Sequence, residues 1–237
     1  MTASLPPQEG PTVAAALVEA RAALERHGLL LFSDPALPSL VGLIVGEPLR
    51  SSWWGHPRGH TIYAAMNRLD DDPDVLSTKL VAGKVTYVHR RLWSAILAVG
   101  TARDAWQMDS LSVGERWLLR EVDTEGELAT DGVVVPPEAR GGSKARVADF
   151  ARELERRLLV HATEIHTPSG AHAKVLQTWQ RWAHGVGLQA SSLSSAKGRQ
   201  ELEAASESLA AEVTGGGVVE LPWRPRSSRR AVRHVES

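Results

Sequence analysis

The chain has 237 residues, 43% hydrophobic and 23% charged, with 27 Lys and Arg against 28 Asp and Glu. That is enough apolar content for a buried core in one large domain or several small ones, and too little net charge for disorder. Cysteine is absent, which excludes disulfides, thiol catalysis, iron–sulfur clusters and Cys-based zinc sites. The opening MTASLPPQEG has neither the basic nor the apolar region of a secretory signal, and no apolar run reaches about 18 residues. A cytoplasmic protein without a membrane span is expected.

In chain order, residues 1–11 read as a flexible leader. Thr12 caps a helix with apolar residues at Val13, Leu17, Ala20 and Leu24, closed by Gly28. Leu29-Leu30-Leu31-Phe32 is a short apolar run, and residues 38–45 form a second helix ended by Gly46. SSWWGHPRGH is loop by composition, a helix follows over 60–69, and Asp70-Asp71-Asp72-Pro73 stops it. Thr78 to Val88 reads as a tight hairpin turning at Ala82-Gly83, followed by a helix from Leu92 to Val99. Ser112-x-x-Glu115 is a capping box opening another helix. Residues 131–143 look like a linker. Val147, Phe150, Leu154 and Leu158 mark a long helix, LLVHATEIH a strand, and Val175, Trp179, Trp182 and Val186 a further helix. The last helix spans 199–212. No internal repeat is visible in the residues.

Charge is unevenly spread along this order. Asp104 to Asp131 holds eight acids against two bases, while Arg224, Arg226, Arg229, Arg230 and Arg233 crowd the tail. A basic tail is either an unstructured end or an arm adding phosphate affinity.

Helices followed by a hairpin are the parts of a winged helix, and Leu111 to Leu176 fits that order. The expected fold is mainly α with small β-hairpins (α+β), as tandem winged-helix-like modules. Its divisions are the leader 1–11, an N-terminal helical and hairpin module 12–109, a winged-helix-like module 110–188, a C-terminal helix region 189–222 and a basic tail 223–237.

LERHGLLLFSD, HTIYAAMNRL, KLVAGKVTYVHRRLWSAILAVG and LSVGERWLLREVDTEGELAT follow one another in an order that resembles the AlkZ/YcaQ-type winged-helix DNA glycosylases, above all the reduced AlkZ-related proteins. The resemblance spans residues 15–185 as a pattern of elements. It implies tandem winged helices and duplex DNA as partner. In those enzymes a Gln-x-Gln or Gln-x-Asp pair after a Gly-Leu-Leu-like element positions the water that removes an alkylated purine. Here Gly28-Leu29-Leu30 is followed by Leu31, Phe32 and Ser33, so the pair is missing. Gln107-x-Asp109 lies far downstream and inherits no role. The resemblance therefore implies the build of a base-excision repair protein while arguing against its hydrolase chemistry.

Several constellations remain as candidates. Trp53, Trp54, Arg58, His166 and His172 are taken as the lining of a cleft, with His56 or His60 as an acid–base group if the cleft is catalytic. The plain alternative is that the tryptophans plug the core. Lys79, Lys84, His89, Arg90, Arg91 and Lys174 are candidate phosphate contacts; the alternative is a solvated hairpin edge. His161, His166 and His172 invite a metal reading, but HExxH is absent and neither metal nor cofactor is expected. No G-x-S-x-G, P-loop or G-x-G-x-x-G occurs. Three functions follow: a DNA-binding winged-helix protein lacking the glycosylase pair, an enzyme acting on a nucleobase or small aromatic ligand, or a module binding a protein partner without nucleic acid.

Overall fold

The structure is a computed structural model and describes residues 12–140, 146–166, 172–189, 192–213 and 219–224. The expected leader, the turn at 167–170 and the arginines beyond Arg224 lie outside the described residues.

Helix α1, Val13–His27, starts where Thr12 Oγ1 accepts the Ala15 N–H at 3.2 Å, and buries Ala16, Ala20, Ala23 and Leu24 on one face. Gly28 ends it at φ +80°, donating its N–H to the Leu24 carbonyl, and a Cβ there would stand 2.6 Å from Leu92. Only glycine satisfies both conditions. Strand β1, Leu29–Leu31, follows at once, then α2, Leu40–Val45, capped by Ser39. Helix α3, Gly59–Asp70, buries Ile62, Ala65 and Leu69. Strands β2, Val75–Lys79, and β3, Val85–His89, complete an antiparallel sheet ordered β1-β3-β2, in register at Leu30↔Tyr87 and Ser77↔Tyr87.

The hairpin turn is longer than expected. Instead of a two-residue turn, residues 80–84 connect the strands through a 3₁₀ turn, Val81–Gly83. Val81 is buried in the core, and the Thr86 hydroxyl accepts its N–H at 3.1 Å while donating to the Lys84 carbonyl. Burying Val81 together with Leu80 draws the turn inward.

Helices α4, Trp93–Gly100, and α5, Ala105–Met108, lead to α6, Val113–Glu125, which opens with the expected capping box of Ser112 and Glu115. Strand β4, Glu127–Ala129, a 3₁₀ turn at Pro137–Ala139, α7, Val147–Arg156, and strands β5, His161–His166, and β6, His172–Gln177, follow. Their sheet is ordered β4-β6-β5. The sequence of helix, three-residue strand, short helix, helix and hairpin thus occurs twice, each time with the short strand beside the last one. The repeat hides in the residues because matching elements meet different surroundings. Leu-Leu-Leu of β1 is wholly buried, while Glu-Leu-Ala of β4 is largely exposed.

Several boundaries differ from the sequence expectation, among them the start of the last helix, at Ser195 where residue 199 is expected, and the start of β2, at Val75 where Thr78 is expected. Helix α7 stops at Arg156 because Leu158 turns to φ +53°, and Val175 belongs to β6, so α8 spans only Trp179–Gly185. Helix α9, Ser195–Ala211, lies along α4.

Three apolar clusters hold the chain. One lies between α1, α2, α3 and the Leu30–Tyr87 face of the first sheet. The opposite face, with Leu29, Leu31, Leu76 and Val88, packs with α4, α8 and α9, so β1 is covered on both sides and reads as an unbroken apolar run. The third joins α6, α7 and Leu176 of β6. Among the described residues, no helix is long and apolar enough to cross a membrane.

Candidate nucleic-acid interface

The expected phosphate contacts are already engaged within the molecule. Lys79 of β2 and Lys174 of β6 converge on Glu155 of α7, the first at 3.1 Å, and Glu155 is buried. Burial, with Lys79 nearby, holds the Lys174 ammonium below the usual lysine range despite the pull of Glu155. Lys84 bonds Asp34 at 2.6 Å. Burial alone would raise the Asp34 carboxyl, but Lys84 and the N–H groups of Leu37 and Ala36 keep it below its ordinary value. Arg90 pairs with Asp74 at 3.2 Å and lies 5.6 Å from the Trp93 ring centre, Arg91 donates to the Arg26 carbonyl, and His89 accepts the Arg91 N–H. The hairpin tip is itself docked: Ala82 N–H donates to Glu220 O at 2.8 Å, and Gly83 faces Arg156. This hairpin joins the two halves of the chain.

The histidines separate. His161 is buried against Trp179 and Trp182, and burial pushes its imidazole down to about 4, against the opposing influence of Gln177 and Glu155. His166 and His172 are the last pair of the β5–β6 ladder, and their side chains lie outside the described residues. Among the described residues no three His, Asp or Glu side chains come close enough to hold a metal ion. Gln107 is also buried; its side-chain oxygen accepts the Asp104 N–H and its amide donates to the Arg157 carbonyl at 3.0 Å. It splices α5 to the end of α7, a structural role.

The tryptophan loop differs from all of these. Trp53 and Trp54 stack with ring centres 4.2 Å apart and planes inclined by 23°, and Phe32 meets Trp53 edge-on at 5.4 Å. Trp53 packs against the first cluster, but Trp54 is 70% exposed and stands on the open surface, with Tyr63 of α3 (42% exposed) at 6.2 Å. The loop is held by its own backbone: Trp53 O accepts from His56 N–H, and His56 O from Gly59 N–H. The Arg58 guanidinium donates to the Ile44 and Val45 carbonyls, closing the open end of α2, and His56 Nδ1 accepts the Arg58 N–H. His60 is exposed on the first turn of α3.

Helix α3 turns a polar face outward. At 100° per residue, the buried Ile62, Ala65 and Leu69 leave His60, Ala64 and Asn67 opposite them, with Tyr63 and Arg68 on the two flanks. No side chain caps the helix start. From Pro48 to Leu69, 22 residues, the chain has three arginines, two histidines and no carboxylate. Arg50 and Arg68 are exposed, with no acidic partner among the described residues. Of this stretch the sequence singles out Trp53, Trp54, His56, Arg58 and His60 but not Arg50, Asn67 or Arg68, whose signal is an absence of acids.

Comparison with known protein families, curated proteins and solved structures finds no match for this chain.

Proposed function

We propose that the protein binds duplex DNA as two winged-helix modules in tandem, with α3 as the helix presented to the groove. The observation that carries this reading is the acid-free stretch 48–69, whose exposed helix face stands in the place that a recognition helix takes before its hairpin. In that docking the outward face of the helix meets base edges, and an Asn such as Asn67 suits the two hydrogen bonds that adenine offers. An uncapped helix start adds free N–H groups and positive potential beside the phosphates. The twice-used order of elements and the resemblance to winged-helix repair proteins support the same reading. Glycosylase chemistry is not part of it, because the water-positioning pair is missing after Gly28 and Gln107 is committed to the core.

The test is binding of a labelled duplex between 50 and 200 mM salt, roughly the range over which phosphate contacts dominate. Arg50→Ala/Arg68→Ala should lower the salt slope by about two phosphate contacts' worth. Lys84→Ala should leave it unchanged, since that ammonium is held by Asp34. Absence of duplex binding at low salt overturns the proposal.

A further inference from the structure

Trp54 and Tyr63, 70% and 42% exposed with ring centres 6.2 Å apart, place two neighbouring aromatic rings on the open surface. One face of Trp54 is spent on Trp53, which Phe32 meets edge-on in turn, so the pair is a two-ring stack whose outer ring is 70% exposed. A flat aromatic group of similar size is the natural continuation of such a stack. The local sequence narrows its charge. With the Arg58 guanidinium spent on the Ile44 and Val45 carbonyls, Arg50, Arg68, His56 and His60 still share the stretch 48–69 with no carboxylate, so a cationic ligand of the kind that aromatic cages take is disfavoured, and an aromatic ring attached to anionic groups is favoured.

Position narrows it further. Trp54 precedes α3 by a single loop and stands beside Tyr63 of that helix. A ring seated on Trp54 therefore belongs to the same ligand that α3 meets. Bases inside a paired duplex already have both faces covered by their neighbours. Only a base outside the stack has a face to give to an indole.

We infer that Trp54, backed by Trp53, is a stacking platform for a single unpaired base in DNA whose flanking duplex is held by α3. This inference rests on the duplex-binding proposal and assigns that site its substrate class: duplex interrupted by a bulged, unpaired or single-stranded nucleotide. Stacking recognises any base by its flat face, so the preference is for the interruption and not for a sequence.

The experiment compares a perfect duplex with the same duplex carrying one bulged 2-aminopurine, using the full chain, Trp54→Ala and Trp54→Phe. Wild type should bind the bulged duplex about 10-fold tighter, the lower part of the range that base–aromatic stacking supplies, and should quench the 2-aminopurine. Trp54→Ala should abolish both the preference and the quenching while keeping wild-type affinity for the perfect duplex; Trp54→Phe should keep part of each. Because Trp54 is exposed, the variants should melt with the parent, which circular dichroism checks. Equal affinity of wild type for both duplexes, or a preference that survives in Trp54→Ala, overturns this inference and leaves duplex binding standing. Failure to bind either duplex overturns both.

Discussion

Lys79 of β2 and Glu155 of α7 meet at 3.1 Å, and the pair spans the two halves of the molecule. Lys174 reaches the same carboxylate from β6, so one buried acid holds two ammonium groups that are each only about a quarter exposed, at 22% and 26%. Glu155→Ala would leave both cations without their counter-charge. Full burial would make that loss 3–5 kcal/mol; partial exposure of the lysines brings the expectation to about 2–3 kcal/mol. The denaturant midpoint measures it. Replacing all three residues together, as Glu155→Leu/Lys79→Met/Lys174→Met, should recover most of the loss, because no charge is then stranded.

Stability should fall on mild acidification through His161. Its folded pKa, about 4, lies below the ordinary 6.5, so the unfolded chain binds the proton first. The contribution is complete above pH 6.5, declines as pH falls towards 4, and changes no further below that. The full effect is roughly 3 kcal/mol. In His161→Gln the slope of unfolding free energy against pH should lose about one proton's worth between pH 6.5 and 4. An unchanged slope would show that carboxylates alone set the acid limit.

Two helix–ring contacts need a residue without a side chain. A Cβ on Gly114 of α6 would lie 2.2 Å from the Phe150 ring, and one on Gly100 would lie 2.5 Å from the Trp179 ring. Both rings are buried, so neither can move aside freely. Gly114→Ala and Gly100→Ala should each destabilise by about 1–3 kcal/mol despite the gain in helix propensity. Thermal melting reads the outcome directly.

Gln107→Leu should be worse than its volume suggests. It removes the amide that satisfies the Arg157 carbonyl and the oxygen that accepts the Asp104 N–H. Stranding those backbone groups should lower stability by about 2 kcal/mol in a denaturant titration.

Signals written within a few residues of one another were legible. Thr12, the Ser112–Glu115 box and Gly28 mark helix ends through local hydrogen bonds, and the structure uses each as expected. Trp93, Trp179 and Trp182 sit in helices with apolar neighbours and are buried, while Trp106 finds Trp223 edge-on at 5.6 Å, a meeting of distant segments that no local pattern announces. The same limit explains the cations. Lys79, Lys84 and Arg90 look alike in the sequence, and what distinguishes them from Arg68 is an acid supplied by another element: Glu155, Asp34 or Asp74. The tryptophan pair was visible as a composition, but only the packing shows that Trp53 faces inward and Trp54 outward.

Leu202, Ala205 and Leu209 of α9 complete the apolar layer over Leu29, Leu31, Leu76 and Val88. During synthesis the ribosome releases that sheet long before it releases its cover. The N-terminal half therefore emerges with that oily face covered only in part, by α4, and its folding waits on α9, which follows the whole second sheet in the chain. A fragment ending at Gly100 should bind a hydrophobic dye and aggregate, and adding the α9 peptide should suppress both. A premature stop before α9 would thus damage a sheet made well upstream of it.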